Sequence, residues 1–162
     1  MNSFVKLREH RIRLSAPMDE LLKIEPRNVI ISIKPEYALK IVRGRKTVEL
    51  RRKFPTENIN AGIAIIYASS PIKQVIGYAV IRNVQKLPIS TIWNTYRKDA
   101  CVTKAFFNSY FDGLEEGFAI SLSEPVELIF PLSVKKLKED YCISPPQSYC
   151  YASDKILKVL EV

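Results

Sequence analysis

The sequence predicts an α+β fold: a small twisted β-barrel of mixed strands with flanking helices and an inserted helical pair. Short β-branched runs with strand periodicity lie on both sides of a stretch that begins near Ser90, ends at Gly113 and carries its apolar residues at helical spacing. Strands and helices do not alternate as they do in doubly wound parallel sheets, which leaves a mostly antiparallel or mixed barrel. At 162 residues, 47% of them hydrophobic and 26% charged, the chain has the composition of one globular domain and not of a disordered segment.

Residues 1–26 read as a basic arm, with Lys6, Arg8, Arg11 and Arg13 in a stretch of no clean period. Ser15 is a candidate N-cap, Pro17 sits in the permitted first turn, and Leu21, Leu22 and Ile24 form a short apolar stripe before Pro26. The domain proper is expected over 27–162. Val29 to Ile33 suits a buried strand, and Pro35 opens a helix with Tyr37, Ala38, Ile41 and Val42 on one side that Gly44 closes. A second strand starts near Thr47, a third covers 62–67 and a fourth 75–84. Ile92, Trp93 and Tyr96 share one helical face; Phe106, Phe107, Tyr110 and Phe111 mark a second helix, and this aromatic set is assigned to the core. Strands follow at 117–122 and 126–130, then a helix at 133–139 and a last helix behind Ser153 or Asp154.

A formal charge of +8 and a pI near 9.4 suit a partner rich in phosphate, since Lys and Arg release condensed counterions on binding it. No apolar run reaches the ~20 residues of a membrane span, and charges occupy the N-terminus where a secretory signal is greasy. The expected location is therefore cytoplasmic, without a membrane partner. Cys101, Cys142 and Cys150 lack Cys-x-x-Cys spacing and His10 is the lone histidine. Neither a disulfide framework, a metal site nor a histidine triad is expected, and no cofactor is implied.

The densest polar cluster is residues 43–53, where a helix ends and a strand begins. Period two places Thr47, Glu49 and Arg51 on one face and Val48 and Leu50 on the other, with Lys46 at the turn leaning over the polar face. An ammonium, a carboxylate and a guanidinium then face one small ligand: Arg51 forks onto phosphate or a base edge, Glu49 accepts from an amine, and Lys46 contacts an oxygen or serves as base or nucleophile. A solvated, charge-balanced edge strand is the alternative reading.

The segment Val29 to Ala38 followed by Gly44-x-Lys46-x-x-Glu49-x-Arg51 resembles the ASCH domain family of the PUA-like superfamily. So do Tyr67-Ala68-Ser69-Ser70-Pro71, Ile76-Gly77, Tyr110-Phe111 before Gly113, and Pro145-Pro146-Gln147-Ser148-Tyr149. The resemblance covers about residues 28–151 and includes a subfamily described as PUA-like transcriptional regulators. It implies a barrel with a cleft, lined by Lys46, Glu49 and Arg51, that holds RNA or a nucleotide. Some family members are enzymes, namely amidohydrolases of acetylated cytidine and ribonucleases. In the amidohydrolases the position of Glu49 is a threonine and a separate acid completes the set; Glu115, Glu116 and Glu124 are the candidates here. Glu49 beside Lys46 pairs with its charge and blunts it as a nucleophile, which favours binding over amide hydrolysis.

Tyr67, Ser69 and Ser70, at a strand end, are further ligand-binding candidates, with turn chemistry before Pro71 as the alternative. Gln147 and Ser148 follow two prolines and are placed to present polar groups to a base on which Tyr149 or Tyr151 stacks, or else the loop packs through its tyrosines. The expected function is recognition of nucleic acid, RNA in preference to DNA, or of a modified nucleotide, through an unpaired base in the Lys46, Glu49 and Arg51 cleft. A small metal-independent hydrolase using Lys46 and Glu49 and a protein-interaction domain are the rival expectations. Oligomeric state is not readable from the sequence.

Overall fold

A computed structural model describes residues 25–161. The predicted basic arm and its helix fall almost wholly in residues 1–24 and lie outside the described residues. In chain order the elements are β1 (Val29–Ile33), α1 (Pro35–Val42), β2 (Val48–Arg51), β3 (Ile63–Ala68), β4 (Gln74–Pro88), α2 (Ile89–Tyr96), α3 (Lys104–Tyr110), β5 (Glu116–Ser133), α4 (Val134–Tyr141), β6 (Tyr149–Tyr151) and α5 (Asp154–Val159).

The described strands form one six-stranded mixed sheet in the order β2-β5-β4-β3-β1-β6. β1 and β3 run parallel, with Ile31 opposite Ile66, and every other pairing is antiparallel. Register shifts along β4 at Val75/Gly77, Tyr78/Val80 and Ile81/Asn83 bend the long β4–β5 ribbon, and such bulges increase local twist. The sheet consequently curls into a half-barrel until its two ends approach each other. Arg51 of β2 donates from Nη2 to the carbonyl of Ser32 in β1 at 2.8 Å, although three strands separate β2 from β1 in the hydrogen-bonded order. Beside it, Phe54 packs on Tyr149 of β6 with ring centroids 5.1 Å apart. These contacts stitch the seam.

Alternation along the strands divides the apolar residues among three clusters. Inside the curl, Val29, Ile31 and Ile33 of β1 meet Ala38, Ile41 and Val42 of α1 and the inward residues of β3, β4 and β5. On the outer face Ile30, Ile65 and Tyr67 pack under α4 and α5 through Leu137 and Ile156. Val48 and Leu50 point outward from β2 into a third cluster with Ile92, Phe107 and Phe111 of the helical insert, so β2 is buried on both faces. The solvated edge strand expected as an alternative does not form, because α2 and α3 cover its outer side.

Three elements differ from the sequence reading. The strands expected at 117–122 and 126–130 are one strand, β5. Within it Leu128 to Pro131 oppose Ile76 alone, and the excess pushes Ile129 and Phe130 outward to 87% and 83% exposure. Strand β4 runs past 84 to Pro88 because β5 continues to pair with it. The segment after Pro146 becomes the edge strand β6, paired with β1, where a loop was expected. Ser133 caps α4 as a side-chain acceptor for the Lys136 amide. No helix among the described residues is long and apolar enough to cross a membrane.

Gly77 lies where α1 and β5 crowd β4: a Cβ there would stand 2.1 Å from the Val126 carbonyl oxygen and 2.6 Å from a Val42 methyl. We expect Gly77→Ala to lower unfolding free energy by about 1–3 kcal/mol or more through overpacking, read as a shift in the urea midpoint. Phe54→Ala opens the seam at a 6% exposed site and is expected to cost about 3–5 kcal/mol on the same measurement.

Candidate nucleotide-binding cleft

Where β1 hands over to α1, the first helical turn brings Lys34 and Tyr37 to one wall of a cavity of about 150 Å³. Its floor is Lys46, Glu49 and Arg51, and its other wall is Val102, Phe106 and Tyr110 from the helical insert. The wall rings lie close together: Tyr37 to Phe106 at 5.4 Å, and Phe106 to Tyr110 at 5.7 Å and nearly parallel. Tyr110 donates its hydroxyl to the Leu50 carbonyl at 3.3 Å, which ties the insert to β2. Burial pushes the Tyr110 phenol above the usual tyrosine value. The Tyr37 phenol is raised by burial too, assisted by the negative charges of Glu36 and Glu49.

The floor follows from local geometry. Gly44, at φ +71°, ends α1 in the left-handed conformation that glycine adopts at least cost. Amides of Thr47 and Val48 then donate to the Asp99 carbonyl, which fixes the entry into β2. Lys46, just before the strand, is only 2% exposed; its Nζ donates to the Ala100 carbonyl at 2.5 Å and lies 3.4 Å from Glu49 Oε2. Glu49 and Arg51, two residues apart on the inward face, meet at 3.1 Å through Oε1 and Nη2. Arg51 also donates from Nη1 to the Ser148 hydroxyl at 3.4 Å.

Two cations and one carboxylate leave the floor with a surplus positive charge. Among the described residues, Arg51 Nε is the one buried side-chain polar atom without a hydrogen-bond partner. A buried donor left unmade costs free energy, which an acceptor or a negative charge brought to it would offset. No group of three His, Cys, Asp or Glu side chains among the described residues is placed to hold a metal ion.

The other residues singled out from the sequence divide. Ser148 joins the floor through Arg51. Tyr67 points to the opposite side of the sheet, into the cluster under α4 and α5, because it alternates with Ile66 and Ala68, which face inward. Ser69 and Ser70 form the turn before the cis Pro71: Ser69 bonds through its backbone to Ile33 and Lys73, and neither serine lines the cavity. Tyr149 is a strand residue packed on Phe54, and Gln147 is exposed and outside the cavity. Glu115, Glu116 and Glu124 are exposed and do not line it either; Glu116 pairs with Lys86 at 2.7 Å and Glu124 with Arg82. Conversely, Phe106, a core expectation, forms the cavity wall, together with Tyr110, which also packs on the third cluster as expected. Their i, i+4 spacing was the available signal: it puts them on one face of α3, with Phe107 and Phe111 on the buried face.

A family model described as ASCH domain matches residues 31–140. A protein of Zymomonas mobilis subsp. mobilis named ASCH domain-containing ribonuclease is 37% identical over 123 residues, 75% of this chain and 82% of that protein. The crystal structure of ASCH from Zymomonas mobilis superposes with a TM-score of 0.77 at 32% identity, covering 83% of this chain and 94% of that one. The N-terminal domain of Staphylothermus marinus McrB shares the fold alone, with a TM-score of 0.53 at 12% identity over 85% of this chain and 94% of that one. With a matching family model over residues 31–140 and a relative 37% identical over 82% of its own length, the chain belongs to the ASCH domain family.

Proposed function

We propose that this chain binds single-stranded RNA by taking one unpaired nucleotide into the cleft. The observation that carries the reading is the pairing of aromatic walls with a buried, net positive floor that holds an unpartnered Arg51 Nε. A base packs against the aromatic wall of Tyr37, Phe106 and Tyr110 from the cavity side while its polar edge meets the floor, as aromatic side chains and polar groups together read single strands. Lys34 lines the cavity and lies over the Phe106 ring, and Arg52, outside the cavity, donates to the Tyr110 carbonyl. Both are exposed and suited to phosphates, and the formal +8 charge steers an anionic polymer toward them.

A second reading, metal-independent RNA cleavage, is favoured by the Zymomonas mobilis relative that carries the name ribonuclease. In it the phosphodiester lies over the floor in place of the base. The ribose 2′-oxygen attacks phosphorus, Glu49 takes the 2′-hydroxyl proton, and the 5′-oxygen leaves with the bonding electron pair and a proton from the floor or water. A 2′,3′-cyclic phosphate results. Lys46 and Arg51 then stabilise the charge that builds on the phosphorus oxygens. A separate downstream acid, which the amidohydrolase reading requires, finds no place at this cavity.

Fluorescence titration with a short single-stranded RNA at two salt concentrations tests the binding reading. We expect affinity to fall with salt and Phe106→Ala to weaken it by about 1–3 kcal/mol, the value of one base–aromatic stack, with the unfolding midpoint little changed. Binding that Phe106→Ala leaves intact would move the RNA site elsewhere. Cleavage is tested by incubating RNA and the matching DNA with the protein in a chelator. Cyclic phosphate ends on RNA, intact DNA and loss of turnover in Glu49→Gln are the expected results if the second reading holds.

A further inference from the structure

We infer that the cleft selects uracil over cytosine and the purines. The inference rests on the nucleotide-binding reading above and adds which base that nucleotide carries. Lys46 and Arg51 hold opposite oxygens of Glu49, so the floor presents, in order, an ammonium, a carboxylate and a guanidinium. In hydrogen-bonding terms that order is donor, acceptor, donor.

Each member keeps capacity for a ligand. Lys46 has three N–H bonds, and its protein acceptors are the Ala100 carbonyl and Glu49. Each Glu49 oxygen has two lone-pair sites and one cation partner. The Arg51 Nε–H has no partner. The Watson–Crick edge of uracil reads acceptor, donor, acceptor through O4, N3–H and O2, the complement of the floor at every position. Cytosine reads donor, acceptor, acceptor: its amino group meets a cation and its N3 lone pair meets the carboxylate. Adenine turns its amino group toward a cation; guanine can give its N1–H and amino group to the two Glu49 oxygens, so against guanine the discrimination falls to the size of the cavity.

Size acts in the same direction. A cavity of about 150 Å³ is the volume at which a protein interior takes up one benzene ring, and a pyrimidine is a single six-membered ring where a purine is two fused ones. The walls supply aromatic contact from Tyr37 and Phe106, whose rings touch each other at a tilt and so do not sandwich a base; such contact does not distinguish one base from another and leaves discrimination to the floor.

Octamers of uridine, of cytidine, of alternating adenosine and guanosine, and of N3-methyluridine, each with the same terminal fluorophore, test the assignment by anisotropy with the full chain. The uridine octamer is expected to bind at least tenfold tighter than the cytidine and purine octamers. N3-methylation removes the central donor from the ligand without touching the protein, and is expected to abolish the preference. Equal binding of uridine and cytidine octamers, weakened alike by Phe106→Ala, would overturn the uracil assignment while the nucleotide-binding reading stands. Failure of every octamer to bind would overturn both.

Discussion

The buried run of Lys46, Glu49 and Arg51 is the interaction on which both the closure of the sheet and the floor of the cleft depend. Moving three charges out of water is expensive, and attraction between them offsets that cost only when geometry is good and the remaining donors find acceptors. Here the acceptors come from distant parts of the chain: the Ala100 carbonyl from the insert, the Ser32 carbonyl from β1 and the Ser148 hydroxyl next to β6. The charged row therefore acts as a clasp. It brings β2 against β1 across the gap that the hydrogen-bonded sheet leaves open. The unpartnered Arg51 Nε is where the clasp stays incomplete.

The helical insert makes such a clasp affordable. Val48 and Leu50 sink into a cluster with Ile92, Phe107 and Phe111, so the apolar side of β2 anchors the strand while its polar side carries the charges. The same insert sends Phe106 and Tyr110 over the cavity and lends the Ala100 carbonyl to Lys46. One pair of short helices thus supplies core, wall and floor acceptor together. Core packing and the lining of the cleft share residues here, and the exposed Lys34 and half-buried Phe106 line the cleft without belonging to the buried core.

Membership in the ASCH family and the geometry of this cleft bear on function at different levels. Family and fold place the chain among proteins with a PUA-like half-barrel; a fold hosts several chemistries, so function has to be argued from the site. The site is apolar at its walls and ionic at its floor. A flat aromatic ring with polar atoms on one edge satisfies both surfaces, which is the shape and polarity of a nucleobase.

Local physics made much of this legible in the sequence. A strand of period two has to separate Glu49 and Arg51 from Val48 and Leu50, a proline at the start and a glycine past the end bound α1, and the aromatic periodicity marks the insert; all of these rest on residues within a few positions of one another. What the sequence left open depended on which distant segments meet. Tyr67 turned away from the cleft, Tyr149 became a paired core residue, and Phe106 and Tyr110 became a wall, because the curl of the long β4–β5 ribbon decides which face of each element is inside. Sequence alone determined which side chains share a face; only the tertiary structure decided what that face meets, since backbone sterics act between neighbours while closure of a curled sheet joins residues such as Arg51 and Ser148 that lie far apart along the chain.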